Sequence, residues 1–472
     1  MSYDPMRIHL SLVSHTNIGK TTLARTLLSR DIGEVADRAH VTETTDDYVL
    51  ARSPEGCELI LWDTPGFGNS VALAKRLEGR SNPVGWFLAE VWDRVANKTQ
   101  WLNQKAIKHV REISNVVLYL VNATELPDTA PYVSAEMKIL EWIGKPVIVL
   151  LNQIGEPKSP EAEEAEVDRW KNAMSSYPIV SDVLPMDAFA RCWVQEFVLF
   201  DAIGKALPEE LQSTFEGLRE VWSRQRRAAY NASIQALADY LTKLANDKEI
   251  AENLSVIDQV KFLSKRLGLY KNETVKDPIS AAQTALSARA ADEFCALTDK
   301  LLVINSLKGK GVRKEILKQL QTNWNVASAV PTTPTAVVGA IGTGAVGGLA
   351  GDLATGGISM GLGTLLGTVV GAIGGAGLAI TYNRRKDVQG TVITWSDSAL
   401  NAFCSNAIQL YLAIAHFGRG RGNWTELEYS FYTIENIKNI IDEISSTRNF
   451  NPQKLSDITR KILNHLHHNF YL

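Results

Sequence analysis

The nine residues from Ser14 to Thr22, SHTNIGKTT, constrain the fold more than any other part of the chain. They directly follow the apolar run Ile8–Val13, which predicts a strand, and they open a stretch with helical patterning. A glycine-bearing loop between a strand and a helix presents backbone N–H groups to phosphate oxygens at the positive end of the helix. These residues therefore predict the phosphate-binding loop of an α/β protein.

The residues of this loop have expected roles. The Lys20 ammonium is expected to reach the β- and γ-phosphates, and the Thr21 hydroxyl to bind Mg²⁺. Ser14 replaces the first glycine of the usual pattern, which can alter the turn but leaves the rest of the motif intact. The predicted nucleotide-binding residues of the loop are Asn17, Ile18, Gly19, Lys20, Thr21 and Thr22.

A second motif, WDTPG at Trp62–Gly66, follows a later apolar run. Asp63, at a strand end, is expected to hold Mg²⁺ through water, and the Gly66 N–H to contact the γ-phosphate. The polar stretch between the two motifs should supply a threonine that binds Mg²⁺ while its backbone contacts the γ-phosphate. Thr42 is our choice for this residue, and Thr44 and Thr45 are the alternatives.

With these motifs in this order, the chain resembles the Era-like branch of the P-loop GTPases. In that branch an NKxD motif binds guanine, but here the corresponding residues after strand Val147–Leu151 are NQIG, so Gly155 replaces the aspartate. The resemblance implies that Asn152 and Gln153 brace the base and that Ala188 offers it a backbone N–H. Glu156 is the alternative source of the missing carboxylate, and GTP-over-ATP preference is the property that would test it.

The resemblance also bears on hydrolysis. Phe67 follows the DTPG motif and cannot orient a water molecule as a glutamine does. In GTPases of this branch, an asparagine at the position of Asn17 helps to hold a K⁺ ion that neutralises charge between the phosphates. We therefore expect Lys20, Asn17 and Thr42 to be catalytic, and the metal ligands to be Thr21, Thr42 and Asp63. Mg²⁺ and K⁺ are the expected cofactors.

Alternating apolar and amphipathic stretches up to about Lys205 predict a mostly parallel six-stranded sheet with helices. We expect a helix at Glu161–Met174 and two helices within Val71–Ile113. Beyond Leu207 the apolar residues recur at helical spacing, as in Ile234, Leu237, Leu241 and Leu244, which predicts an all-α domain. The predicted strands are Ile8–Val13, Tyr48–Ala51, Leu59–Trp62, Val116–Val121, Val147–Leu151 and Ile179–Leu184.

Fifteen of the 33 glycines lie between Gly339 and Gly377, in a segment whose only charge is Asp352. Two arms, Ala336–Ala350 and Ile358–Ile380, flank a GDLATGG turn at Gly351–Gly357, and the second arm would extend about 35 Å as a helix, enough to cross a bilayer core. The segment therefore predicts an apolar helical hairpin that associates with a membrane, and a buried helical pair is the alternative. The predicted domains are residues 1–205 (GTPase), 206–330 (helical), 331–382 (hairpin) and 383–472 (C-terminal helical).

The formal charge of −3 gives no global basicity, so we expect no nucleic-acid partner. The four cysteines form no CxxC pair, which suits a reducing cytosol. The whole chain resembles a bacterial family of Era-like GTPases with a C-terminal domain of unknown function. This resemblance rests on HTNIGKTT, DTPG, LNQIG, MDAFARCWVQE (Met186–Glu196) and GDLATGGISMG (Gly351–Gly361).

Our interpretation is a protein that binds GTP and GDP, hydrolyses GTP slowly, and couples its nucleotide state to the helical domains and the hairpin. We expect it in the cytoplasm at the inner face of the bacterial inner membrane, with lipid as a partner and a homodimer formed through the GTPase domain. The alternative is a hydrolytically idle nucleotide-binding scaffold or a pore-forming effector. A GTPase associated with RNA or the ribosome is a third, less favoured interpretation, because the C-terminal half has no basic stripe.

Overall fold

The computed structural model describes ten segments of the chain, which fall into two compact units. The first unit holds the described residues up to 228 together with 415, and the second holds those from 229 to 414 and from 450 onward. The described segments are residues 6–28, 46–90, 97–152, 160–186, 193–251, 278–306, 378–382, 391–395, 397–415 and 450–466.

The first unit is built on a six-stranded sheet with the order β2-β3-β1-β4-β5-β6. All neighbouring strands are parallel except β2 and β3, which are antiparallel. This confirms the predicted mostly parallel sheet and all six predicted strands. The strands are β1 (Arg7–Ser14), β2 (Asp46–Arg52), β3 (Glu58–Asp63), β4 (Val116–Asn122), β5 (Val147–Asn152) and β6 (Val180–Pro185).

Helices cover both faces of this sheet, which is why the central strands β4 and β5 are almost wholly apolar. In β4, Val116, Leu118 and Leu120 pack into the core on one face, and Val117, Tyr119 and Val121 pack into the core on the other. The helices of this unit are α1 (Lys20–Leu28), α2 (Ser70–Leu77), α3 (Pro83–Ala89), α4 (Lys98–Glu112), α5 (Pro131–Ile143), α6 (Pro160–Met174) and α7 (Trp193–Ala206).

The expectation of two helices within residues 71–113 is wrong, because the described residues of this range already form three helices. The extra boundary lies at Asn82, whose side-chain oxygen accepts a hydrogen bond from the Gly85 N–H and caps α3. Pro83 then occupies the first turn of α3, where its missing N–H costs nothing. The polar turn between α2 and α3 was a local signal for this boundary.

A single helix, α8 (Glu209–Asn246), continues from the first unit into the second. In the first unit its Trp222 ring stacks on Phe200 of α7, with ring centroids 4.1 Å apart. Arg226 forms an ion pair with the buried Glu196 at 2.7 Å and donates a hydrogen bond to the Leu27 carbonyl at the end of α1. These contacts fix the first part of α8 to the core of the first unit.

The second unit contains a three-stranded antiparallel sheet with the order β7-β9-β8, so the expectation of an all-α C-terminal part is wrong. The strand β8 (Leu378–Tyr382) includes the last residues of the predicted helical arm Ile358–Ile380. The prediction of a helix up to the end of that arm is therefore wrong. These strands are four or five residues long, too short for a clear periodicity, and β7 pairs with β9 from a distant part of the chain. The elements are β7 (Lys248–Ala251), α9 (Pro278–Ile304), β8 (Leu378–Tyr382), β9 (Thr391–Trp395), α10 (Asp397–Ala415) and α11 (Pro452–Leu466).

The rest of the predicted hairpin, with its GDLATGG turn, lies outside the described residues. Within the part of the chain that the structure does describe, every helix is too short or too polar to cross a membrane.

Candidate functional site

The predicted phosphate loop connects β1 to α1, as the sequence indicates. Asn17 and Gly19 have positive φ angles of 66° and 94°, which turn the chain back toward the start of the helix. Asparagine and glycine tolerate this left-handed conformation best. A Cβ atom at Gly19 would also lie only 2.8 Å from the Asn152 side-chain nitrogen, so any other residue would displace that amide.

Lys20 is buried at the first position of α1, and its Nζ donates a hydrogen bond to Ser14 Oγ at 3.0 Å. Burial lowers the pKa of this lysine, and the nearby carboxylates of Asp63 and Glu136 act in the opposite direction. A positive charge in this position is suited to an anionic ligand, because phosphate oxygens would compensate its lost hydration.

Thr21 and Asp63 meet beside this lysine. The Thr21 hydroxyl donates to Asp63 Oδ2 at 2.5 Å, and Asp63 Oδ1 is buried with no hydrogen-bond partner among the described residues. Burial raises the pKa of Asp63, and Lys20 and Thr21 offset part of this effect. A hydroxyl and an unsatisfied carboxylate oxygen are ligands that suit Mg²⁺, so the residues present fit this metal.

The DTPG turn lies against the phosphate loop. A Cβ atom at Gly66 would lie 3.0 Å from Lys20 Nζ and 3.1 Å from Thr16 Cα, so a larger residue would have to push the loop or the lysine away. The Phe67 N–H donates to the Ser14 carbonyl at 2.9 Å, and the Phe67 ring is fully buried. The residue that follows DTPG is therefore a core side chain without a polar atom to orient water.

Asn152, at the end of β5, supports the loop from another side. It is fully buried, and its Nδ2 donates to the Ile18 carbonyl at 2.5 Å. The structure thus brings the loop residues 17–22 together with Asp63, Gly66 and Asn152. The other predicted site residues and their alternatives lie outside the described residues: Thr42, Thr44, Thr45, Gln153, Glu156 and Ala188.

The sequence analysis did not identify Glu136, a buried glutamate that contacts the phosphate loop through His15. Glu136 of α5 is fully buried, accepts a hydrogen bond from the Tyr119 hydroxyl at 2.9 Å, and lies 2.8 Å from His15 Nδ1. The His15 ring stacks on Tyr132 with centroids 4.6 Å apart. A glutamate on the apolar stripe of α5, beside Met137, was the available signal for this cluster.

A buried amide that the sequence did not single out fixes the segment after DTPG. Asn103 of α4 accepts a hydrogen bond from the Gly68 N–H at 2.9 Å and donates one to the Gly68 carbonyl at 2.8 Å. Both backbone groups of Gly68 are therefore satisfied by one side chain. The apolar pattern of α4 gave no reason to prefer Asn103 over its other polar residues.

Comparison with known proteins agrees with this geometry. Residues 9–153 match a family described as 50S ribosome-binding GTPase, and residues 320–465 match a domain of unknown function, DUF3482. GTPase Era of Staphylococcus epidermidis is 22% identical over 200 residues, which are 42% of this chain and 55% of the relative. The chain thus spans only about half the length of this curated relative.

Two solved structures show similarity over less than half of the chain. One is Era in complex with MgGDPNP and nucleotides 1506-1542 of 16S ribosomal RNA, with 21% identity, 43% of this chain and 58% of that chain covered, and a TM-score of 0.32. The other is a complex of SsGBP and GDP, with 18% identity, 44% and 52% covered, and a TM-score of 0.28.

The Era complex corrects one expectation from the sequence. We expected no nucleic-acid partner because the chain is not basic overall, but this similar protein was solved with ribosomal RNA. Net charge of a whole chain does not describe the local surface that contacts RNA, so that exclusion was wrong. The phosphate loop, the DTPG turn and the family matches show a P-loop GTPase domain similar to that of Era over residues 9–153, and a domain of unknown function over residues 320–465.

Proposed function

We propose that this protein binds GTP and GDP and hydrolyses GTP slowly in the presence of Mg²⁺. The observation that carries the proposal is the buried Thr21–Asp63 pair, with its unsatisfied carboxylate oxygen, beside the buried Lys20 ammonium. A lysine, a hydroxyl and a carboxylate at the end of a phosphate loop are the groups that a triphosphate and its metal require. The use of MgGDPNP by the similar Era supports the choice of metal.

Each residue has a defined part in this reaction. The loop backbone binds the phosphates, and Lys20 stabilises the negative charge that develops on the transferred phosphoryl group. Thr21 and Asp63 would hold Mg²⁺, which when bound neutralises charge on the β- and γ-phosphates. Gly66 permits DTPG to lie close enough for its backbone N–H to contact the γ-phosphate.

We propose slow hydrolysis because Phe67 offers no polar group to orient water. Guanine is the proposed base because the matching family is one of GTPases, although Gly155 replaces the usual aspartate. The Asn152 side-chain nitrogen donates a hydrogen bond to the Ile18 carbonyl, so Asn152 stabilises the conformation of the phosphate loop.

The test is single-turnover hydrolysis of GTP in KCl and Mg²⁺, with ATP as the competing substrate. We expect product formation by the unmodified protein and at least about a hundredfold less by Lys20→Ala, because the variant loses the main charge on the phosphates. No product above the Lys20→Ala level, together with retained GTP binding, would favour the idle scaffold instead.

The same assay tests the proposed K⁺ dependence. We propose that Asn17 helps to hold a K⁺ ion whose positive charge stabilises the phosphates. Such a charge would assist hydrolysis in a site where Phe67 has no polar atom to orient water. Replacing KCl by NaCl should then slow hydrolysis by about tenfold, and Asn17→Ala should remove the difference between the two salts. Equal rates in both salts would exclude this role for Asn17 and would leave the GTPase proposal intact.

We also propose that the glycine-rich segment associates with the cytoplasmic face of the bacterial inner membrane. The support is its sequence, with one charge between Thr335 and Thr381 and basic residues Arg384, Arg385 and Lys386 directly after it. The full chain should float with liposomes of anionic lipid, and a chain lacking residues 336–377 should not. Equal recovery of both chains in the pellet would contradict the proposal.

A further inference from the structure

We infer that Ser14 is a positioning residue that holds the Lys20 ammonium at the phosphate loop before nucleotide binds. The sequence pattern treats Ser14 only as a departure from the usual glycine. This inference rests on the proposed function, because it assigns a role within the same nucleotide site.

The Ser14 hydroxyl has a definite orientation. It donates a hydrogen bond to the His15 carbonyl at 2.5 Å and accepts one from Lys20 Nζ at 3.0 Å. A hydroxyl has one donor and two acceptor positions, so donation to the carbonyl directs its lone pairs toward the ammonium. Glycine at this position would provide neither interaction.

The serine fits here without backbone strain. Ser14 is the last residue of β1, where it pairs with Leu120 of β4, and its own carbonyl accepts the Phe67 N–H. The positive φ angles of the turn belong to Asn17 and Gly19. The fold therefore does not need glycine at position 14. The fully buried Ser14 hydroxyl is placed to accept a hydrogen bond from Lys20.

A neutral acceptor has a specific advantage in this place. Lys20 is buried, so its ammonium needs a hydrogen-bond partner to replace lost water. A carboxylate in direct contact would satisfy this need but would also neutralise the charge that attracts phosphate. The Ser14 hydroxyl accepts a hydrogen bond from the ammonium and leaves its positive charge available for phosphate. Gly66 also lies close to Lys20 Nζ.

The experiment compares Ser14→Ala with Ser11→Ala. Ser11 lies in the same strand and is equally buried, but its hydroxyl contacts His109 and Ser114, remote from the loop. We expect Ser14→Ala to raise the Kd for GDP and GTP about tenfold, because one hydrogen bond to a charged group is lost. Ser11→Ala should change the Kd less than about twofold, and Ser14→Gly should behave like Ser14→Ala.

A spectroscopic measurement separates positioning from general damage. In the nucleotide-free protein, the Lys20 side-chain ammonium should give a slowly exchanging ¹H–¹⁵N signal, assigned by its loss in Lys20→Ala. The signal should persist in Ser11→Ala and disappear in Ser14→Ala. The backbone ¹H–¹⁵N spectrum of each variant shows whether it is folded, and Ser14→Gly is the second variant if Ser14→Ala does not fold.

The outcomes for the inference and for the proposed function are distinguishable. If Lys20→Ala abolishes nucleotide binding while Ser14→Ala binds normally, or if the unmodified protein lacks the ammonium signal, the inference is overturned and the proposed function stands. If the unmodified protein binds no purine nucleotide, the proposed function fails, and the ammonium signal then reports only a structural hydrogen bond.

Discussion

Asp63→Asn is expected to lower the single-turnover rate of GTP hydrolysis by about a thousandfold at saturating GTP. The amide keeps the size of the side chain but removes its negative charge. In the structure, Asp63 Oδ2 already accepts the Thr21 hydroxyl, and Oδ1 is buried without a partner among the described residues. The variant therefore loses the charged oxygen that is best placed to hold Mg²⁺. Rapid-quench measurement of product at several Mg²⁺ concentrations checks the result.

Asp46→Asn is the matched control for this variant. Asp46 lies directly opposite Asp63 in the β2–β3 pair, so the same change is made one strand away. We expect it to change the rate by less than about threefold, since its side chain is more exposed and is not paired with Thr21. A rate for Asp63→Asn within about tenfold of the unmodified protein would contradict the assignment of Asp63 as a metal ligand.

Glu136→Ala is expected to lower the free energy of unfolding of the first unit by about 3 kcal/mol. The variant leaves the buried Tyr119 hydroxyl without its acceptor, removes the partner of His15, and creates a cavity under the phosphate loop. Urea unfolding of the nucleotide-free chain, followed by tryptophan fluorescence, measures the loss. Nucleotide binding should weaken as well, since His15 belongs to the loop.

Glu164→Ala provides the comparison for this stability effect. Glu164 is exposed on α6 of the same unit, so its removal should change the free energy of unfolding by no more than about 0.5 kcal/mol. Equal stabilities of Glu136→Ala and Glu164→Ala would show that the buried hydrogen bonds at Glu136 contribute nothing net.

The sequence was sufficient for the GTPase fold because the central strands β4 and β5 are buried on both faces and almost wholly apolar. The loop and DTPG motifs were sufficient to place Lys20, Thr21 and Asp63 near one another, since both motifs end neighbouring parallel strands, β1 and β3. Local patterns therefore predicted those parts of the site that depend on strand order alone.

Other features depend on contacts between distant segments, which no local pattern records. Glu136 meets His15 across 121 positions of sequence, and β7 pairs with a strand more than a hundred residues later. β9, TVITW, is rich in β-branched and aromatic residues, which was a usable strand signal. It was overlooked because the neighbouring sequence has helical patterning.

The bond between Asn103 and Gly68 resembles one rung of a β-ladder in which a side-chain amide replaces the second peptide group. Rearrangement of DTPG around a γ-phosphate must either carry Gly68 and α4 along or break both bonds at once. Breaking them would leave a buried amide and a peptide group unsatisfied, at a cost of about 2–4 kcal/mol. Joint movement costs less, so under the proposed function α4 would move together with the DTPG turn when nucleotide binds.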